Sequence, residues 1–335
     1  MAKAVVSPAL VVKHRRSKWR LAKQENFDNM KLSIIIPTLN EGRYLPLLLN
    51  SISKQSFGDF EVIVADADSN DGTVRIAREF GAKIAKGGMP ARGRNNGARM
   101  AQGEFLFFLD ADVILPENFI QRAYDEMQER FLDLSTCEVI PLSELQIDKV
   151  LHSLANLSIR MGQFTSPHAA GFCILTSRRL FERINGFDES LTMAEDHDFV
   201  KRASRFRPLR VLDSTQISVS VRRLEKEGRS VLVNKYLQVE LHRIFKGELK
   251  TAVVEYEFGN FQKKATAQQS RQLAAFETYL TRIDKKLHEF IKRYKSDDRR
   301  FDGTAPEEQM NKFTMQLEKA KAMLKELFVN KSEKS

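Results

Sequence analysis

Three short apolar runs do most to limit what this chain can fold into. "LSIIIP" covers 32–37, "FEVIVAD" covers 60–66 and "EFLFFLDAD" covers 104–112. Each has the look of a buried strand, which must be covered on both faces. The segments between them carry apolar residues at helical spacing. These are "TLNEGRYLPLLLNSISKQ", "SNDGTVRIAREFG" and "RGRNNGARMAQ", with a short extra strand, "AKIAKG", before the last. "PENFIQRAYDEMQERF" supplies a further helix. Strands alternating with helices predict an α/β fold: a mostly parallel sheet with helices on both faces.

The pattern loosens after residue 134. "AGFCILTSRRLFERING" reads as a strand, a turn and a short helix, and "AEDHDFVKRASRF" as a helix that opens on acids. "RPLRVLDSTQISVSV" reads as alternating short strands. Three segments follow with apolar residues at three and four spacing: 229–247, 262–295 and 305–330. The expected organisation is a basic N-terminal arm over 1–30, an α/β domain over 31–224 and a helical region over 225–335.

Composition narrows the classes. A chain of 335 residues, 42% apolar and 29% charged, can bury one large core and carry an appendage. Its two cysteines, Cys137 and Cys173, form no CxxC or zinc-type spacing, which argues against a disulfide scaffold and fits a reducing compartment. No run approaches 18 apolar residues, so no spanning helix is expected. The formal net charge of +10 suits an anionic lipid surface or a phosphorylated small molecule, or simply a solvated surface. Nucleic acid is not expected, because no aromatic interleaving or binding motif accompanies the charge.

In open α/β sheets, ligands bind at the carboxyl ends of the strands. The first strand ends in "PTLNEG", with Pro37, Asn40 and Glu41; the second ends in "DADSNDGT", with Asp66, Asp68 and Asp71. Arg92 and Arg94 open a helix at the same edge, and Asp110 and Asp112 end the fourth strand. Residues i and i+2 of an extended chain point the same way, so Asp110 and Asp112 can share one hard cation. A bare D-x-D is common by chance; the apolar strand before it and the acidic loop beside it strengthen the signal.

These stretches, in this order and spacing over roughly 32–222, resemble the inverting, GT-A fold glycosyltransferases of family 2. The resemblance implies a nucleotide-diphospho-sugar donor, UDP-linked by preference or GDP-linked, and Mg²⁺ or Mn²⁺ as cofactor. It implies that Pro37, Asn40 and Glu41 lie in the first donor loop, with Glu41 near the nucleoside, and that Asp66 contacts the base. Ala67 and Asp68 stand where the family often has a second acid or a glycine. Arg92 or Arg94 would face the nucleotide or its phosphates. Asp110 would serve ribose and metal, and Asp112 the metal directly. The family's frequent histidine ligand after the last strand has no counterpart in "ISVSVRR".

"GFCILTSRRLFERINGFDESLTMAEDHDFVKRA" resembles the family's acceptor segment. It implies that Gly171 lines the acceptor side, with His168 facing the acceptor or merely filling space; His197 invites the same two readings. Glu195 and Asp196 match the family's acidic pair, with Asp196 the expected general base. Acids in a first helical turn are otherwise commonly caps. Arg222 and Arg223 resemble an arginine pair that closes over the diphosphate.

The expected function is transfer of a sugar to an acceptor hydroxyl, on a polyprenyl-linked or saccharide acceptor, in cell-surface polysaccharide or glycolipid synthesis. The expected location is the cytoplasm, or a peripheral place on the inner face of the plasma membrane, with an oligomer left open. The alternatives are a nucleotide-sugar-binding protein without transferase activity and a nucleotidyltransferase. The latter usually has a glycine-rich loop after its first strand, where this chain reads "PTLNEG".

Overall fold

In a computed structural model, which describes residues 30–227, the apolar runs become adjacent strands. β1 (Leu32–Thr38) pairs in parallel with β2 (Phe60–Asp66) and with β4 (Phe105–Leu109), and β2 pairs in parallel with β3 (Lys83–Lys86). The helices between them are α1 (Leu45–Ser53), α2 (Thr73–Glu79) and α3 (Pro90–Met100). Every residue of β2 and β4 is buried, as continuous apolar runs require. Gly97 lets α3 lie close on the sheet: a Cβ there would stand 2.4 Å from Ile35 Cγ2.

The chain continues through β5 (Val113–Ile114), α4 (Phe119–Glu129), β6 (Leu134–Pro141) and α5 (Gln146–Thr165). Then come β7 (Cys173–Ser177), α6 (Arg178–Arg183), α7 (Glu195–Ser204), β8 (Arg210–Val219) and α8 (Arg222–Glu227). The sheet has eight strands in the order β3-β2-β1-β4-β7-β6-β8-β5. It is mixed: β7 runs antiparallel to both β4 and β6. Cys173, the first residue of β7, pairs with Leu109, the last of β4. Residues just before β7 therefore reach the same sheet edge as those just after β4.

Two parts of the sequence reading change. The stretch expected to hold alternating short strands is one ten-residue strand, β8. Asp213 and Ser214 look like turn residues, but their N–H groups donate to the buried Glu126 carboxylate, at 3.0 and 2.8 Å, and stay in the strand. The loosely patterned stretch after 134 contains β6 and the twenty-residue helix α5, neither of which the pattern resolved.

The described residues divide into two compact units, 30–136 with 168–215, and 137–167 with 216–227. Strands β6 and β8 each begin in the first and end in the second. The first unit has its core between the sheet and helices α3, α6 and α7, where Ile35, Phe108, Ile174, Phe187 and Phe199 are buried together. In the second, Asn156 on α5 exchanges two hydrogen bonds of 2.9 Å with the backbone of Val139. The N-terminal arm and the three C-terminal segments read as helices lie outside the described residues. Among those described, no helix is long and apolar enough to cross a membrane.

Candidate active site

The loops after β1 and β2 are sewn to each other. Asn40 N–H donates to Ser69 Oγ at 2.8 Å, and Asn40 Oδ1 accepts from Asn70 N–H at 3.0 Å. Glu41 N–H donates to Thr73 Oγ1 at 2.9 Å, and Gly42 N–H to Asp71 Oδ2 at 2.8 Å. Burial pushes the Asp71 carboxyl up, but the bonds from Thr73 and Gly42 outweigh it and hold it below the ordinary aspartate value. Asp71 is thus the stitch between the loops.

Asp66 ends β2, buried. It accepts from Thr38 Oγ1 at 2.9 Å, from Ser69 N–H at 2.9 Å and from Ser69 Oγ at 2.6 Å, so it sets the loop's shape. Asn40 and Asp68 adopt left-handed backbone, which short polar side chains tolerate, and both are exposed. Pro37 is half-buried in β1, packed beneath Gly93 of α3.

Asp110 and Asp112 flank a buried Ala111 in the turn between β4 and β5, and both are half-buried. On α3 the two arginines part company. Arg92 is exposed, whereas Arg94 is only 3% exposed. Arg94 Nη1 donates to Glu195 at 2.6 Å and Nη2 to Asp110 at 3.0 Å, with Gly171 O at 3.4 Å. Its guanidinium lies 5.4 Å from the Phe187 ring centroid. Burial works against its charge, but Asp110, Glu195 and Asp196 outweigh that and keep it protonated. Arg94 therefore ties the end of β4 to the start of α7.

Glu195 and Asp196 open α7, behind Ala194 in left-handed backbone. Glu195 is committed to Arg94. Asp196 is held instead by backbone: Gly171 N–H donates at 2.7 Å and His197 N–H at 2.8 Å. Burial pushes the Asp196 carboxyl up, outweighing the Arg94 charge and those two N–H groups, and Asp110 adds to the rise. A Cβ on Gly171 would stand 2.3 Å from Arg94 Nη2 and 3.4 Å from Asp196 Oδ2, so glycine is what lets these groups meet. His168 is buried, and its ring centroid lies 5.6 Å from that of His197. Arg222 and Arg223 open α8, in the second unit.

Asn95 was not singled out in the sequence, yet it fixes the "GFDE" turn that leads towards α7. Its Nδ2 donates to Phe187 O at 2.8 Å and to Glu189 at 2.9 Å, while its Oδ1 accepts from Phe187 N–H at 2.9 Å. Phe187 stacks on Phe199 of α7 at 4.2 Å and meets Phe108 of β4 edge-on at 5.0 Å. The aromatic core thus sets α7 against the strand that carries Asp110.

Among the described residues no three His, Cys, Asp or Glu side chains converge as a metal cage. The Asp110–Asp112 pair offers hard oxygen donors alone. That donor chemistry fits Mg²⁺ or Mn²⁺ sharing its shell with phosphate oxygens and water.

Residues 33–184 match the family model described as Glycosyl transferase family 2. These residues belong to that family. Poly(ribitol-phosphate) beta-N-acetylglucosaminyltransferase TarS of Staphylococcus aureus is 34% identical over 115 residues, 31% of this chain and 20% of TarS. A 4,4'-diaponeurosporenoate glycosyltransferase of Staphylococcus haemolyticus is 41% identical over 102 residues, 28% of this chain and 27% of that one. The chain thus spans a minor part of the length of these curated relatives. Mannosyltransferase PcManGT from Pyrobaculum calidifontis, solved in complex with GDP-Man and Mn²⁺, superposes with a TM-score of 0.50 at 19% identity. That likeness covers 68% of this chain and 70% of PcManGT, and it speaks for the fold. The family 2 segment carries β1 to β7, Arg94, Asp110, Asp112 and Gly171; Glu195 and Asp196 follow just beyond it.

Proposed function

We propose that the chain is an inverting glycosyltransferase that moves a sugar from a nucleotide diphosphate to an acceptor hydroxyl, with Asp196 as general base. The observation that carries this reading is the setting of Asp196. Its carboxylate is fixed by two backbone N–H groups at the sheet edge that holds Asp110 and Asp112, and it shares Arg94's field with Asp110. Inversion needs one base to take the acceptor proton as its oxygen attacks the face opposite the leaving group. The acceptor O–H gives its proton to Asp196, the oxygen bonds to the anomeric carbon, and the carbon–oxygen bond to the diphosphate breaks. The departing nucleotide diphosphate takes that electron pair. A divalent ion held by Asp110 and Asp112 would offset the charge on the diphosphate.

Asn40, Glu41, Asp66, Asp68 and Arg92 form the proposed donor wall, and Gly171 and His168 the acceptor side. A UDP- or GDP-linked sugar is the proposed donor; GDP-Man and Mn²⁺ occupy the structural neighbour PcManGT. The proposed acceptor is a hydroxyl of a cell-surface polysaccharide or glycolipid; the relative TarS is named for transfer to poly(ribitol-phosphate).

Thermal unfolding with UDP, GDP, CDP and dTDP, each with and without Mn²⁺, tests the donor half. Ligand at a hundred times its Kd adds about 2.7 kcal/mol of stability. UDP or GDP should raise the Tm more with Mn²⁺ than without. Stabilisation by none of the four removes the reading.

A further inference from the structure

Helix α7 carries the proposed base, and a single ion pair does not fix the direction in which a helix points a side chain. Arg94 of α3 holds α7 at Glu195, its first residue. A helix held at one point can still swing and roll about it. Asp196 lies about 100° around the helix from Glu195, so a small roll carries its carboxylate off line. Glu195, Phe199 and Arg202 stand at i, i+4 and i+7 of α7, so they share one face. Phe199 and Arg202 both reach the same turn.

That turn is 184–189, and it is clasped from both sides. From α7, Arg202 Nη1 donates to Ile184 O at 2.7 Å and Nη2 to Gly186 O at 2.8 Å, while the Phe199 ring stacks on Phe187. From α3, buried Asn95 answers both backbone groups of Phe187, at 2.8 and 2.9 Å, and also donates to Glu189. An amide both donates and accepts; neither alanine nor an ionised aspartate can close both bonds to Phe187. Gly186 has left-handed backbone, and a Cβ there would stand 2.5 Å from Asn95 Oδ1, so glycine is what lets the amide in.

We propose that Asn95 is a positioning residue for sugar transfer: through the 184–189 turn, Phe199 and Arg202 it fixes the roll of α7 and so aims Asp196. The proposal rests on the reading of Asp196 as the base. Arg94 and Asn95 are neighbours on α3, so one rigid element supplies both holds. The first sets where α7 begins, and the second sets how it is turned. The N–H groups of Gly171 and His197 then hold a carboxylate that is already in place. Asn95 itself touches neither donor nor acceptor. Its loss should therefore spare nucleotide binding and slow the chemical step.

The test measures release of UDP from UDP-GlcNAc and of GDP from GDP-Man, each with Mn²⁺ and with water as the acceptor. Wild type, Asn95→Asp, Phe199→Leu, the double variant and Asp196→Asn are compared at a temperature where circular dichroism shows them folded. Asn95→Asp keeps the shape and the accepting oxygen but loses both donated bonds. It should lower kcat roughly tenfold to a hundredfold, with the donor KM within about twofold of wild type. Its nucleotide-induced Tm shift should match that of wild type. Phe199→Leu keeps Asn95 and weakens the next link, so it should show the same split. The double variant should fall no further than the worse single variant, because both break one chain of contacts. Normal kcat in Asn95→Asp beside an inactive Asp196→Asn overturns the proposal and leaves the base assignment standing. So does an effect of Asn95→Asp on donor KM alone. Normal kcat in Phe199→Leu overturns it as well, whether or not Asn95→Asp folds. Wild-type rates in Asp196→Asn, or no release by wild type, overturn both the proposal and the reading beneath it.

Discussion

Arg94 offers the sharpest test of the site's electrostatics. Replacing it with methionine keeps the length and removes the charge. Glu195 is then left buried without its 2.6 Å partner, and Asp110 loses its 3.0 Å partner. Removing one member of a buried pair costs about 3–5 kcal/mol. The Asp110 side chain is 38% exposed, so water absorbs part of its loss and the lower end, about 3 kcal/mol, applies. For a domain of this size that lowers the Tm by roughly 6–12 °C. Scanning calorimetry of the Arg94→Met chain measures it. Arg94→Lys, which keeps the charge and loses the fork, should fall between the two. A Tm within about 2 °C of wild type at neutral pH would refute a buried, doubly paired Arg94.

Gly171→Ala puts a Cβ 2.3 Å from Arg94 Nη2, so it should destabilise by about 1–3 kcal/mol in denaturant titration and reduce transfer. Burial raises the Asp196 carboxyl above its unfolded value, so wild-type stability should fall relative to Asp196→Asn as pH rises from about 4 through the raised value. Asp133 behaves oppositely. Burial pushes it up, but Arg179, Ser177 and Arg207 together hold it below the ordinary value. Its advantage over Asp133→Asn, about 1–2 kcal/mol given its exposed arginine partners, should be present at neutral pH and lost as pH falls through the lowered value. Urea titrations across pH measure both.

The inner strands were legible because β1, β2 and β4 are apolar on both faces, a pattern few other elements share. Strand β6 was not, because it opens "LSTC". Ser135 and Thr136 are buried, and Thr136 Oγ1 donates to Cys173 O at 2.8 Å, so a polar residue sits in the sheet through a partner 37 positions away. Helix α5 has no side-chain cap to announce its start. The reversed direction of β7 depends on which edge the chain returns to, and no local signal encodes that. In the site, Asp110, Asp112 and Asp196 stood out by position at element ends. The sequence sets Arg92 or Arg94 at the nucleotide or its phosphates, but the Arg94–Glu195 ion pair joins residues 101 apart and has no local signal. Asn95 was missed for the same reason: its partners Phe187 and Glu189 lie more than 90 residues on.

The central claim is that Asp196 takes the acceptor proton. The most direct measurement is the turnover of Asp196→Asn at saturating donor and acceptor, alongside its nucleotide-induced Tm shift. Loss of a general base should lower kcat by about a hundredfold or more while the nucleotide shift stays as in wild type. Transfer at the wild-type rate with the nucleotide shift intact would contradict the account.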